Sequence, residues 1–183
     1  MNASILVALI TGMITVVGWF TTKSLDRRQK RVEFRRAYVQ RQIEEFYGPL
    51  YSLIWQIFSS NSLQQRMLQE CPLNEDEKKR VKQYFFEVHF LPLHARIKNI
   101  LDSKLYLIDG TEMPLCVYEC LTHSQQEDTQ RQLWITQGVS TTAVRGTSFP
   151  PGFFEMVEQT LKKLMREYEI SVQELKTGVS AWN

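Results

Sequence analysis

Cys116, Cys120 and His123 stand at i, i+4 and i+7, with Glu119 beside them. On a helix that spacing is one face. Two thiolates and an imidazole are three of the four ligands that zinc or another borderline metal takes. The fourth ligand and the hydrogen bonds that would orient such a set are not identifiable from spacing. Cysteine is also a small apolar side chain that fills helix cores, and a neighbouring histidine can be satisfied by a hydrogen bond inside a bundle. The core reading is the expectation here, with metal ligation by Cys116, Cys120 and His123 as the alternative. A Cys–His nucleophile pair at helical spacing can touch, but neither an orienting third group nor an oxyanion donor accompanies it. His89 and His94 are five apart across Pro92, which is not the i, i+4 pairing of a helical metal site. Both are expected to be ordinary structural or surface histidines.

The common enzyme signatures are missing. There is no phosphate-binding glycine loop, no dinucleotide fingerprint, no Gly-x-Ser-x-Gly elbow and no kinase motif. No catalytic residue and no cofactor are therefore expected. His123 and Arg145, the latter in the polar stretch "VRGTSFPPG", remain as candidates to meet a small ligand. The three cysteines, Cys71, Cys116 and Cys120, have no disulfide-like spacing and suit a reducing compartment.

Helices must position these groups. Ile43, Phe46, Tyr47, Leu50, Leu53, Ile54, Ile57 and Phe58 recur in steps of three and four, and this stripe crosses Gly48-Pro49 without losing phase. The pattern predicts a kinked but continuous helix, or two helices abutting end to end, because an intervening loop would leave the register arbitrary. Asn74 and Glu77 read as a capping box opening a second helix, with Glu75, Asp76 and Glu77 in its first turn. Its stripe of Val81, Phe85, Val88 and Leu91 is interrupted by Pro92 and resumes through Ile97, Ile100, Leu101 and Leu105. "LIDGTEMP" is a turn, Leu115 to Gln137 a long helix, and "GVSTTAVRGTSFPPG" a loop. Phe153 to about Lys176 is a last amphipathic helix with Phe154, Val157, Leu161, Leu164 and Tyr168 inward. No strand-like alternation and no internal repeat is visible. The expected fold is all-α: an N-terminal transmembrane helix and a bundle of four or five helices with proline kinks.

The opening of the chain bears on location. Ala3 to Phe20, "ASILVALITGMITVVGWF", holds no charge and no proline. Eighteen helical residues reach roughly 27 Å, near the ~30 Å thickness of the hydrocarbon layer. Trp19 and Phe20 sit where rings favour the interface. A cleaved signal peptide would carry its positive charge before the apolar run and a small-x-small site after it, and neither is present. A buried core helix is not normally so long and uniformly apolar.

From Lys23 to Arg41, eight basic residues stand against Asp26 and Glu33, while the whole chain has a net charge of only +2. Basic residues directly after the run place the N-terminus outside and the remainder in the cytoplasm. The expected division is a transmembrane helix over 1–22, a basic juxtamembrane helix over 23–41 and a cytoplasmic helical domain over 42–183. Arg27, Arg28, Arg35 and Arg36 are candidates for contact with anionic lipid, at about 1 kcal/mol each. Ser4, Ala8 and Gly12, four apart, form a small-residue face suited to association of spans. Nucleic acid is not an expected partner, since one short charged run beside a span is poor support for it.

"RQIEEFYGPLYSL", "FLPLHARIKNILDSKLYLIDGTEMP", His123 with Trp134, and "FPPGFFEMVEQTLKKL" follow in that order. Together they resemble a group of uncharacterised bacterial proteins with one membrane span and a cytoplasmic helical domain. The likeness covers about three quarters of the chain, and its most specific parts are the Glu-Phe-Tyr-Gly-Pro-Leu-Tyr segment and the Leu-Ile-Asp-Gly turn leading to Pro114. The resemblance implies a bacterial inner membrane and supplies no catalytic residue. Proteins of that build are suspected of serving in anti-phage defence. The expected function is thus a non-enzymatic, membrane-anchored interaction or sensor module. It would self-associate at the bilayer and bind a protein partner or small ligand, a defence effector being one version of this. The alternatives are a membrane-tethered metal-binding or hydrolytic domain centred on Cys116, Cys120 and His123, and a passive tether or assembly factor for a partner protein.

Overall fold

A computed structural model describes residues 3–110, 112–139 and 149–177, with side chains for 12–13, 15–110, 112–139 and 149–174. The described residues form helices joined by short connections, with no strand. α1 spans Ala3–Arg41, α2 Gly48–Glu70, α3 Glu75–Phe85, α4 Leu91–Lys104, α5 Leu115–Gln137 and α6 Pro151–Thr177. Among the described residues no helix is long and apolar enough to cross a membrane. The expected span over Ala3–Phe20 is therefore not supported by them. The side chains of residues 1–11 and 14, which make up most of the uncharged run, lie outside them.

The chain divides into two compact units, residues 1–40 with 167–183 and residues 41–166. The end of α6 groups with α1 in this division. In the first unit Arg35 forks onto Glu167, with Nε donating to Oε1 at 2.6 Å and Nη2 to Oε2 at 3.1 Å. Arg36 lies over the ring of Tyr168 at 5.5 Å. Val39 is buried.

In the second unit two prolines sit inside continuous helical backbone, and each is preceded by a π turn. Gln42–Tyr47 is wound with one residue too many, and the Gly48 N–H donates to the Ile43 carbonyl, five residues back. Pro49 follows at the start of α2. Phe86–Phe90 repeats the device: the Leu91 N–H donates to the Phe86 carbonyl, and Pro92 follows at the start of α4. A proline in a regular helix collides with the carbonyl four residues earlier and leaves it without a donor, at a cost of about 3 kcal/mol. The wide turn makes room for the ring and takes up the slack in hydrogen bonding. The register expectation across Gly48-Pro49 therefore holds, and the winding turn explains how. Glycine at 48 is required by the same geometry, since a Cβ there would lie 2.6 Å from the Ile43 carbonyl oxygen.

The second π turn shifts the apolar stripe that the periodicity projects. Phe85 is buried, but Val88 is 49% exposed and Leu93 is buried instead. One inserted residue rotates the helix before it by about 100° relative to the helix after it.

The core of this unit is built from Phe46, Tyr47, Leu50, Leu53, Ile54, Ile97, Leu101, Leu107, Val117, Cys120, Phe153, Val157 and Leu164. α2 packs against α3 and α4, and α4 against α5. Phe154 of α6 enters an aromatic group with Tyr51, Trp55 and Phe58 of α2. Buried Gln42 donates its side-chain amide to the Leu107 carbonyl at 2.7 Å, tying the first π turn to the short turn just beyond α4. The expected capping box is present: Asn74 Oδ1 accepts from the Glu77 N–H, and Glu77 Oε2 from the Asn74 N–H, both at 2.9 Å. α5 ends at Gly138, whose φ of +64° is strained for any side chain, and whose N–H donates to the Trp134 carbonyl.

Candidate functional site

α4 and α5 carry the group with the most chemical potential. His94 sits in the first turn of α4, just past the π turn and Pro92. His123 and Glu127 are one helical turn apart on α5, so both side chains reach the same face. Glu127 lies between the two imidazoles. Its Oε2 accepts a hydrogen bond from His94 Nδ1, and its Oε1 is 3.5 Å from His123 Nε2. One candidate ligand atom from each of the three residues falls within 4.8 Å of the others.

Both histidines are buried, at 7% and 5% exposure, and Glu127 is partly buried. Phe149 walls the site, stacked on the His94 ring at 5.8 Å and edge-on to His123 at 5.9 Å. Nε2 of His94 is buried with no hydrogen-bond partner among the described residues. A cleft of about 320 Å³ opens beside the group, lined by His94, Glu127, Ser124, Asp128, Lys98 and Asp102. Lys98 and Asp102 neutralise one another there at 2.6 Å.

The sequence constellation is thus rearranged. His123 belongs to the site, but Cys116 and Cys120 do not complete a ligand group with it: among the described residues the one cluster of three is His94, His123 and Glu127. Cys120 is fully buried in the core and its thiol is pushed up to about 12 by desolvation. Burial also raises the Cys116 thiol. Cys120 lies in the core, while Cys116 is half-buried. His94 is a buried, hydrogen-bonded histidine, and what spacing did not give is its partners. Its spacing from His89 predicts an ordinary histidine, whereas its partners are 29 and 33 positions away on another helix. The legible signal was His123 with Glu127 at i, i+4; the third member comes from helix packing. His89 instead packs against the rings of Tyr84 and Phe85.

The remaining candidates are scattered. Arg27 and Arg28 are exposed, while Arg35 and Arg36 are engaged by Glu167 and Tyr168. Arg28, Arg31, Arg35 and Arg36 line a groove of about 660 Å³ within the first unit, together with Val32 and Ile170. Gly12 is exposed, with open space around it. Arg145 and the side chains of Ser4 and Ala8 lie outside the described residues.

A second polar group surrounds the first π turn. Glu45 accepts from Lys104 Nζ at 3.0 Å and from Arg41 Nε at 3.2 Å. Those two cations, Lys104 first, hold its carboxyl below the usual range. Arg41 also donates to the Tyr106 hydroxyl at 2.9 Å. This cluster braces the turn against the end of α4. No protein-family model, no curated protein and no solved structure matches the chain.

Proposed function

We propose that the protein is a membrane-anchored helical interaction module, held by residues 3–20 in a bacterial inner membrane with the helical remainder in the cytoplasm. The observation that carries this reading is the uncovered apolar stretch early in α1. Met13, Val16, Val17, Trp19 and Phe20 are each more than half exposed. Such a run needs a cover, and lipid is the cover that suits an uncharged helix followed at once by a basic one. The described part of the run is too short to span; residues 3–11 extend it by their sequence, which is equally free of charge.

Local detail agrees with an interface at residues 19–23. Thr21 and Thr22 fold their hydroxyls back onto the Gly18 carbonyl at 2.8 and 2.9 Å, which removes polar donors from the helix surface. Lys23 Nζ lies 4.5 Å from the centre of the Trp19 ring, an arrangement suited to the headgroup level. Arg27 and Arg28 follow as lipid contacts. The helical unit binds a protein partner or small ligand, and Ser4, Ala8 and Gly12 let two anchors approach.

The test is fractionation of the full chain carrying a C-terminal reporter. Protein that stays with membranes after alkaline carbonate washing, with a reporter active only in the cytoplasm, is the expected result. Release into the wash, or a periplasmic reporter, would overturn the reading. Ala8→Leu with Gly12→Leu should weaken the crosslinked dimer, and an unchanged crosslinking pattern would remove the association part alone.

A further inference from the structure

We infer that His94, His123 and Glu127 form a binding site for one divalent transition-metal ion of the zinc class, with an open coordination position facing the cleft between α4 and α5. This site is independent of the membrane reading and shares no residue with the proposed anchor.

Two imidazole nitrogens and one carboxylate oxygen suit zinc and its borderline neighbours, and three protein ligands leave a fourth position open for water or a ligand oxygen. Calcium and magnesium, which take oxygen ligands in greater number, do not suit this donor set. A zinc ion about 2.1 Å from each ligand atom requires those atoms to lie roughly 3.4 Å apart. His123 Nε2 and Glu127 Oε1 are already 3.5 Å apart, and the three ligand atoms lie within 4.8 Å of one another. The carboxylate now bridges the two rings, so an ion entering the group takes over that bridging role.

Burial and access point the same way. The histidines are held by packed helices, and the stacked ring of Phe149 keeps one side dry, which strengthens the pull of the carboxylate on a cation. A hydrogen-bonded clamp between α4 and α5 would need no more than the Glu127 bridge. It would not account for a cleft opening directly onto His94 and Glu127. Because Lys98 in that cleft is paired with Asp102, an arriving cation meets the acids Glu127 and Asp128 without an unpaired ammonium opposing it. The cysteines take no part: Cys120 faces the core as a neutral thiol.

The experiment uses the full-length protein purified without a histidine tag, exposed to Zn²⁺ alone and dialysed, with metal measured per chain. About one equivalent is expected for wild type, falling below roughly 0.2 in His94→Ala and in His123→Ala, with affinity reduced at least about tenfold in Glu127→Gln. Cys116→Ser with Cys120→Ser should keep the metal. Added Zn²⁺ should raise the Tm of wild type and of the cysteine variant but not that of the histidine variants. Should an alanine variant fail to fold by circular dichroism, His94→Asn and His123→Asn, closer in size and polarity, carry the same expectation. Less than about 0.1 equivalent in folded wild type, or full binding retained without either histidine, would overturn the site.

Discussion

Gly48→Ala tests whether the π turn is a required part of the fold, because two physical effects predict opposite signs. In a regular helix, replacing glycine by alanine stabilises by about 1 kcal/mol, since glycine loses more backbone entropy on folding. Gly48 has ordinary right-handed helical dihedrals, φ −62° and ψ −53°, so dihedral strain does not oppose the change. Space does. The new methyl would sit 2.6 Å from the Ile43 carbonyl oxygen, which is backbone and the acceptor of the Gly48 N–H. Relief means moving that carbonyl by more than half an ångström, which lengthens the hydrogen bond and shifts Phe46 and Tyr47 in the core. Overpacking of this kind costs about 1–3 kcal/mol, and weakening the hydrogen bond adds about 1 kcal/mol. After subtracting the helix gain, the net is a loss of about 1–3 kcal/mol. At roughly 2–4 °C per kcal/mol for a chain of this size, Tm should fall by several degrees. Thermal unfolding followed by circular dichroism reads this directly. A Tm equal to or above that of wild type would refute the argument, because it would mean the turn closes to a regular helix at no cost.

The charges and thiols give two further expected outcomes. The Glu45 carboxyl is held below its ordinary value of 4.5 in the fold, so it contributes stability that is present above that pH and lost as pH falls through the lower folded value. Glu45→Gln should therefore be less stable than wild type near neutrality, with the gap closing as pH falls below 4.5; a gap independent of pH would show the cations do not act on this carboxylate. In native protein a thiol reagent should modify exposed Cys71 quickly and leave Cys120 untouched until denaturant is added, because the thiolate of a group pushed up to about 12 is scarcely populated. Reaction of Cys120 at the rate of Cys71 would show that the core around α5 opens readily.

Local sequence determined the helices and several of their ends. Apolar steps of three and four, Asn74 with Glu77, and Gly138 after the last turn of α5 act over a few residues, and such short-range interactions can be read in order along the chain. The phase of the stripe through Gly48-Pro49 was legible too, since the buried positions before and after the pair remained in step. The device that carried the stripe through, a wide turn closing on the Ile43 carbonyl, was not legible, because it depends on backbone winding rather than residue type. The same winding before Pro92 moved burial from Val88 to Leu93.

The candidate site divides in the same way. His123 and Glu127 are one turn apart on a single helix, a spacing that puts them on one face, but the reading of the sequence grouped His123 with Cys116 and Cys120 instead. His94 reaches them only because α4 lies against α5, and no periodicity within either helix encodes that contact. Cys116 and Cys120 share spacing with His123 yet end in or near the core, since packing decides which side of a helical face meets a neighbour. Sequence alone supplied the residue types and their order along each helix; tertiary packing decided which of them meet, because side chains on separate helices converge only when the bundle has closed.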